Sequence, residues 1–482
     1  MDRPVISLRR RVLSAVRWTA GAQLASKALR GVITLYVIRI LEPADYGLVA
    51  TAVVVTEVAA VFADLGLNAA LIQNQRLDEV IISKIFGAVL VSSAVLFAIV
   101  QALAAPYAAF YSRAGLEDVV RVAAFVLPIG AVGAVPAALL TRDLKFRPTA
   151  ALEFVGAATS SLLILTLALA GWGVWALVAG LLFSALVHAL GMLAVTRFRI
   201  RPRFDFSGIS KELRFGATMV AKSVVSTLAQ KIDVVVGGRM MGVDLVGAYS
   251  VGGDLAKTPS RALLRPITQV TFPATARLQA HREGIRQMFL AGSTAVLFVL
   301  LPLSWGLSAI ADELIALLLG AKWAAAAPAL VVLGLAVPLR STARLLQTTL
   351  DGIGRADIAL KNLITTALCL PPVMVVGATW GVLGLSIGWA VAHLLAMIAN
   401  MRRSLDLVGV TRAELAKSLT PVLASAAVMY GTVLSLKSIL PPDLPLALRL
   451  ALLIVAGAAA YAAASFLLNR RVLVSTVRSV WS

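Results

Sequence analysis

The sequence is poor in the residues that build disulfides, metal sites and charged soluble surfaces. Its 482 residues include one cysteine and three histidines, and only 14% of them are charged. The single cysteine, Cys369, excludes an intrachain disulfide, and we expect it to be a small residue of an apolar core. The histidines His188, His281 and His393 lack the spacing of metal ligands, so we predict neither a metal nor another cofactor.

Sequence signatures of catalysis are missing too. The chain has no G-x-x-x-x-G-K-[ST] motif, which argues against nucleotide hydrolysis through a P-loop. We can assemble neither a Ser/His/Asp set nor a pair of glycosidase carboxylates on one side of a membrane. We therefore expect a protein that is not an enzyme and has no catalytic residues.

Apolar residues dominate the chain. They make up 60% of it, and the mean hydropathy is +0.90, values typical of a polytopic membrane protein. A spanning helix needs about 20 mostly apolar residues. We predict an all-α polytopic membrane protein with about 14 transmembrane helices, at 14–39, 46–71, 81–105, 119–140, 150–170, 174–196, 213–237, 244–270, 289–311, 326–350, 359–378, 382–401, 418–436 and 444–468.

The basic residues predict the orientation of these spans. With the N-terminus inside, 28 of the 44 Lys and Arg residues face the cytoplasm and six face the outside. Such a bias orients bacterial membrane proteins and accounts for most of the net charge of +20 without a nucleic acid partner. We expect a multi-pass protein of the bacterial cytoplasmic (inner) membrane, with both termini in the cytoplasm.

Two sequence matches indicate an internal repeat. WGVWALVAG at 172–180 is echoed by WGVLGLSIG at 380–388, and RILEPADYG at 39–47 is echoed more weakly by RMMGVDLVG at 239–247. Chance similarity between apolar segments is the alternative. Parallel repeats are a known transporter plan with a substrate site near the bilayer midplane. We predict an N-lobe of six spans at 1–196, a cytoplasmic linker at 197–212, a C-lobe of six spans at 213–403, and a C-terminal helix pair with a basic tail at 404–482.

Four segments resemble a known family. They are ILEPADYGLVATAVVVTEVAAVFADLGLNAALIQ at 40–73, LLTRDLKFRPTAALEF at 139–154, GWGVWALVAG at 171–180 and RPRFDFS at 201–207. Through them the chain resembles the multidrug/oligosaccharidyl-lipid/polysaccharide exporter superfamily, in particular the flippases of O-antigen and exopolysaccharide repeat units. The resemblance implies a basic central cavity, but no motif assigns individual arginines to it.

Polar residues at membrane depth are costly and are functional candidates by default. Here they recur at helical spacing, so that each set occupies one helix face. Five spans carry such stripes: Gln23, Lys27, Arg30 and Thr34; Glu57, Asp64 and Asn68; Lys222, Ser226, Gln230 and Asp233; Asp254, Lys257, Arg261, Arg265 and Thr268; and Arg340, Arg344, Gln347 and Asp351. When Lys231 is counted and Asp351, at the end of its span, is left out, the stripes contain nine basic and four acidic residues.

This positive balance predicts an anionic cargo. Arginine binds phosphate through two parallel hydrogen bonds, and an isoprenyl-diphosphate-linked oligosaccharide would place its diphosphate there. Basic side chains near helix ends also reach the headgroups, which is the alternative role for some of them. The predicted substrate-binding residues are Lys27, Arg30, Lys222, Lys257, Arg261, Arg340 and Arg344. Glu57, Asp64 and Asp254 are candidates for ion or proton coupling or for pairing with these cations.

These observations predict a flippase that moves lipid-linked oligosaccharide units for exopolysaccharide or lipopolysaccharide synthesis by alternating access. A drug or cation exporter of the same superfamily is one alternative, but it predicts an acidic cavity. A membrane-bound polysaccharide polymerase or ligase is the other, but it predicts a long external loop, whereas the outside loops are about a dozen residues at most. Expected partners are the lipid-linked oligosaccharide and membrane lipids, with a polymerase and other assembly proteins as further candidates.

Overall fold

The computed structural model describes residues 31–68, 71, 78–143, 145–279 and 281–469. Regular structure in these ranges is entirely helical. The helices in chain order are α1 (Gly31–Ile40), α2 (Pro43–Ala63), α3 (Glu79–Tyr111), α4 (Leu116–Ala123), α5 (Val126–Arg142), α6 (Phe146–Leu169), α7 (Val174–Thr196), α8 (Ser210–Met241), α9 (Val243–Arg277), α10 (Arg282–Ala309), α11 (Ala311–Leu318), α12 (Ala327–Gly352), α13 (Ala356–Ala378), α14 (Gly381–Ser404), α15 (Arg412–Ile439) and α16 (Leu446–Leu468).

Eleven helical segments of the described ranges are long and apolar enough to cross a membrane. This confirms the prediction of an all-α, multi-pass membrane protein. One of these segments, Leu116–Arg142, combines α4 and α5. The first predicted span lies mostly outside the described residues, and α1 covers only its end. The number of 14 spans and their arrangement in two lobes stay predictions.

Helices α8 and α9 are absent from these eleven, although both were predicted to span. They contain 32 and 35 residues, which at about 1.5 Å per residue gives roughly 50 Å, more than the ~30 Å hydrocarbon core. Their length is therefore sufficient. Their polarity excludes them, because they carry several of the ionisable residues predicted to form the site, Lys222, Lys257 and Arg261 among them.

The chain folds into two units, each with its own packed interior. Unit 1 comprises Met1–Asp45, Ala59–Ala105 and Leu116–Val220, as far as these ranges are described. An apolar cluster that includes Leu67, Ile85, Val89, Val135 and Ile209 forms its core. Glycine permits close helix packing there, since a Cβ added at Gly133 of α5 would lie 2.8 Å from the Cα of Ala189 in α7.

Unit 2 comprises Tyr46–Val58, Pro106–Gly115 and Ala221–Ser482, as far as these ranges are described. Helix α12 packs against α9, α10 and α14, and α15 pairs with α16. A buried carboxylate, Glu313 of α11, attaches this C-terminal pair through Lys437 of α15, at 2.9 Å, and Arg449 of α16, at 3.5 Å. The domain boundaries predicted at 196, 212 and 403 stay predictions.

Candidate functional site

Helices α9 and α12 pack closely in unit 2 and so bring their polar stripes together. A Cβ added at Gly252 of α9 would overlap the carbonyl oxygen of Ala326, directly before α12, so only glycine fits this contact. Further along both helices, the buried hydroxyls of Ser260 and Ser341 lie 3.2 Å apart. This register brings Lys257 of α9 and Arg340 of α12 to the same part of unit 2.

Both cations lie over one aromatic ring. The ring centroid of Trp389 in α14 is 5.8 Å from Nζ of Lys257 and 5.3 Å from Cζ of Arg340. A cation within about 6 Å of an aromatic face is attracted by the ring quadrupole, and tryptophan gives the strongest attraction. Trp389 is 3% exposed, so the two cations share a buried aromatic support.

A histidine holds the Trp389 ring in place. The rings of Trp389 and His393, one helical turn apart, stack with centroids 3.9 Å apart and an interplanar angle of 34°. His393 is buried, and its Nδ1 lies 2.9 Å from the backbone oxygen of Trp389. This hydrogen bond fixes the imidazole, and the imidazole in turn restricts rotation of the indole.

One buried carboxylate accompanies the two cations. Asp233 of α8 is 3% exposed, and its Oδ2 lies 3.6 Å from Nζ of Lys257. The hydroxyl of Tyr249 donates a hydrogen bond of 3.1 Å to the same oxygen. Asp233, Tyr249, Lys257, Arg340 and Trp389 are called the cation cluster below.

The cation cluster and the neighbouring Arg344 together carry an excess of positive charge. Arg344 follows Arg340 by one helical turn and is exposed, so both guanidinium groups project from the same face of α12. Within the described ranges, neither arginine forms an ion pair with a carboxylate. With Lys257 balanced by Asp233, two positive charges remain to attract an anion.

The other predicted site residues that the structure describes have different charge partners or positions. Arg261 pairs with Asp254 at 2.5 Å, with both side chains more than half exposed, and Glu57 of α2 pairs with Lys231 at 2.8 Å. Asp64 ends α2 in unit 1, and Lys222 lies in α8. Lys27 and Arg30 fall outside the described residues. The site as a whole therefore stays a prediction, of which Lys257, Arg340 and Arg344 come together.

The sequence did not predict that Tyr249 and Trp389 belong to the cation cluster, or that His393 supports the Trp389 ring. An aromatic residue among small and apolar neighbours resembles any core residue, so Tyr249 and Trp389 gave no polar signal. The one signal available was the position of Trp389, one residue after the second copy of the repeated segment that begins with WGV.

A second feature of unit 2 is a seam where α2 and the end of α3 meet α8 and α9. At Gly47 of α2, an added Cβ would overlap the carbonyl oxygen of Val243, the first residue of α9, and lie 3.1 Å from the amide nitrogen of Gly247. Arg113 after α3 pairs with Asp244 at 3.0 Å. The repeated segments 39–47 and 239–247 thus touch each other. Gly47, Arg113, Val243, Asp244 and Gly247 are called the glycine seam below.

One cation and three aromatic residues make further contacts between these helices, next to the glycine seam. Cζ of Arg239 in α8 lies 5.3 Å from the ring centroid of Phe110 in α3. A Cβ added at Gly238 would lie 2.7 Å from the Tyr111 ring, so α8 and α3 also approach closely. The hydroxyl of Tyr107 donates a 2.8 Å hydrogen bond to the backbone oxygen of Thr51, which connects α3 to α2.

Comparison with known proteins finds relatives among polysaccharide transport proteins. The succinoglycan biosynthesis transport protein ExoT of Rhizobium meliloti is 26% identical over 374 residues, which cover 78% of this chain and 76% of ExoT. The lipopolysaccharide biosynthesis protein WzxC of Escherichia coli K12 is 24% identical over 403 residues, which cover 82% of this chain and 81% of WzxC.

A solved structure shares the fold. The lipid II flippase MurJ, in an inward closed conformation, aligns with a TM-score of 0.75 and 12% sequence identity, over 93% of this chain and 99% of MurJ. A family model described as polysaccharide biosynthesis protein matches residues 36–328, more than half of the chain. This bacterial membrane protein therefore belongs to the polysaccharide biosynthesis protein family of the multidrug/oligosaccharidyl-lipid/polysaccharide exporter superfamily.

Proposed function

We propose that this protein is a flippase that carries isoprenyl-diphosphate-linked oligosaccharide units across the bacterial cytoplasmic membrane for exopolysaccharide or lipopolysaccharide synthesis. The observation that carries the proposal is the convergence of Lys257 and Arg340 on the buried face of Trp389, with Asp233 as their single carboxylate among the described residues. ExoT and WzxC, named for succinoglycan transport and lipopolysaccharide biosynthesis, support it.

The positive charges of the cation cluster and of Arg344 favour a diphosphate as the ligand group that binds there. Like charges that share a site repel more strongly as the surroundings become less polar, and a multivalent anion removes this cost. A diphosphate would accept charge-assisted hydrogen bonds from Lys257, Arg340 and Arg344, each about twice as strong as a neutral one. An organic cation would instead add to the positive charge, which counts against a drug exporter.

Alternating access requires a contact that closes one side of the membrane and later opens. The glycine seam fits this role, because the backbone contact at Gly47 and the Arg113–Asp244 ion pair join α2 and the end of α3 to α9 through residues that are not members of the cation cluster. In the orientation predicted from the basic residues, with both termini in the cytoplasm, the seam faces the outside. Glu57 and Asp254 then act as charge partners of Lys231 and Arg261.

A reconstituted transport assay tests the proposal. The full-length protein in liposomes should translocate a lipid with a diphosphate-linked oligosaccharide, and the double variant Lys257→Ala/Arg340→Ala should reduce the rate at least tenfold. Arg412→Ala is the matched control, because Arg412 is an exposed arginine of unit 2 at the start of α15. Wild-type flipping by the double variant would refute the site, and failure of the unmodified protein to flip the lipid would refute the function.

A further inference from the structure

A second basic surface lies in unit 1, in the segment between α7 and α8. Residues 197–207, called the basic strap below, form neither a helix nor a strand. Its odd positions Arg197, Arg199, Arg201 and Arg203 are all exposed. Phe198 and Ile200, which lie between the first three of these arginines, are only partly exposed, so exposed basic residues alternate with inward apolar ones along this part of the strap.

The opposite side of the basic strap is attached to the core of unit 1. Phe198 and Ile200 pack against the apolar cluster around Ile85, and the Phe198 ring meets Phe86 edge to face at 5.3 Å. Their burial decides which side of the strap faces outward. The arginine side is therefore the free one.

Backbone contacts hold the basic strap against the start of α3. The amide of Arg203 donates a 3.0 Å hydrogen bond to the carbonyl oxygen of Ser83, and the Ser83 hydroxyl donates to the carbonyl oxygen of Arg201. At Gly87 an added Cβ would overlap the carbonyl oxygen of Arg203. The arginines thus project from a fixed backbone, which lowers the entropy lost when they bind a ligand.

An ion pair ties down the far end of the basic strap. Nζ of Lys84 lies 2.7 Å from a carboxylate oxygen of Asp205 and donates a 2.8 Å hydrogen bond to the carbonyl oxygen of Ser207. Asp205 is therefore already neutralised and does not offset the arginines. Beside this anchor, Phe204 is 64% exposed and Phe206 is 40% exposed.

We infer that the basic strap is a binding surface for anionic phospholipid headgroups. Exposed aromatic side chains next to a row of basic ones suit the bilayer interface, where rings enter the acyl boundary and cations meet lipid phosphates. An acidic protein would satisfy the arginines but would offer no reason for two exposed phenylalanines. The inference rests on the membrane placement proposed above and is independent of the cargo.

Site-specific labelling tests the inference, because Cys369→Ala removes the only cysteine. Phe204→Cys in this background, labelled with a fluorophore, reports quenching by a lipid-borne nitroxide in nanodiscs. Each arginine near an anionic surface adds about fivefold to binding at low salt. We expect stronger quenching in discs with phosphatidylglycerol than in pure phosphatidylcholine, and loss of this difference in the variant Arg199→Ala/Arg201→Ala/Arg203→Ala and at high salt.

A matched control removes three exposed arginines of unit 2, Arg277, Arg402 and Arg412, and should leave the quenching difference intact. Equal quenching in both lipids, or an unchanged difference in the strap variant, would overturn the inference. Protection of the label by added cytoplasmic proteins, in discs where lipid does not quench it, would identify a protein-binding surface instead. No substrate is present in this experiment, so its outcome is separate from that of the transport assay.

Discussion

Replacing Gly47 by alanine should open the glycine seam. The added Cβ would overlap the carbonyl oxygen of Val243 and lie 2.6 Å from the carbonyl carbon, whereas ordinary van der Waals contact begins at 3.4 Å. These are backbone atoms, which cannot rotate away as a flexible side chain could. The starts of α2 and α9 must therefore separate by more than ~1 Å, and such overpacking typically costs ~1–3 kcal/mol.

The cost falls only on conformations in which the glycine seam is closed. At about 1.4 kcal/mol per factor of ten, the closed population should fall roughly fivefold to a hundredfold relative to the open one. Cysteines at Arg113 and Asp244, in the Cys369→Ala background, measure this by cross-linking with a short bifunctional thiol reagent. We expect slower cross-linking in Gly47→Ala than in the parent and a corresponding change in flipping rate.

Two other glycines provide controls for Gly47→Ala. Gly306 in α10 has no atom within 4 Å of an added Cβ, so Gly306→Ala should leave cross-linking unchanged. Gly252→Ala should lower thermal stability through its overlap with Ala326, but should not slow cross-linking at the seam. Parental cross-linking in Gly47→Ala, or equal slowing in Gly252→Ala, would refute the proposed role of the glycine seam.

Three further predictions concern the cation cluster, the C-terminal pair and the basic strap. Trp389→Leu keeps an apolar side chain but removes the cation–π contacts, worth ~0.5–2 kcal/mol each, so transport should fall while Trp389→Phe recovers part of it. Glu313→Gln should lower the thermal midpoint in detergent, since it removes the buried carboxylate that Lys437 and Arg449 share, at a cost below the ~3–5 kcal/mol of an unpaired buried charge because Lys437 keeps its ion pair with Asp312; an unchanged midpoint would contradict this. The Lys84 ammonium holds the pKa of Asp205 below its ordinary value of 3.8. The ion pair at the far end of the strap should therefore be complete at neutral pH and be lost only as the pH falls well below 3.8, with Asp205→Asn reproducing this local loss at neutral pH. Fluorescence of the labelled Phe204→Cys protein measures this loss.

The sequence allowed the helices to be predicted well where chain geometry enforces their ends. The span predicted at 174–196 coincides with α7, because Gly173 and Arg197 both adopt positive φ, which an α-helix cannot continue through. Helical spacing also identified Lys257 and Arg340 as inward candidates. It could not distinguish Lys257 from Arg261, one turn later on the same stripe, because only helix packing determines which of them meets Trp389 and Asp233.

The role of Trp389 and the attachment of the segment 197–212 were not predicted from the sequence, for different reasons. The role of Trp389 depends on two cations from other helices, and an apolar span gives no sign of that. The segment 197–212 was expected to be a simple linker, although the alternation of Phe198 and Ile200 with arginines indicates an extended segment with one apolar side. Its attachment to Ser83 is set by residues more than a hundred positions away.

Asp233 determines how many negative charges a ligand of the cation cluster must carry. A ligand with one negative charge can neutralise only one of Arg340 and Arg344, because Lys257 is already paired with a carboxylate that is covalently part of the protein and held by Tyr249. A doubly charged ligand can neutralise Arg340 and Arg344 while that internal pair stays intact. We therefore expect carriers with a single phosphodiester, which include ordinary phospholipids, to be rejected although they outnumber any pyrophosphate-linked glycan in the same bilayer.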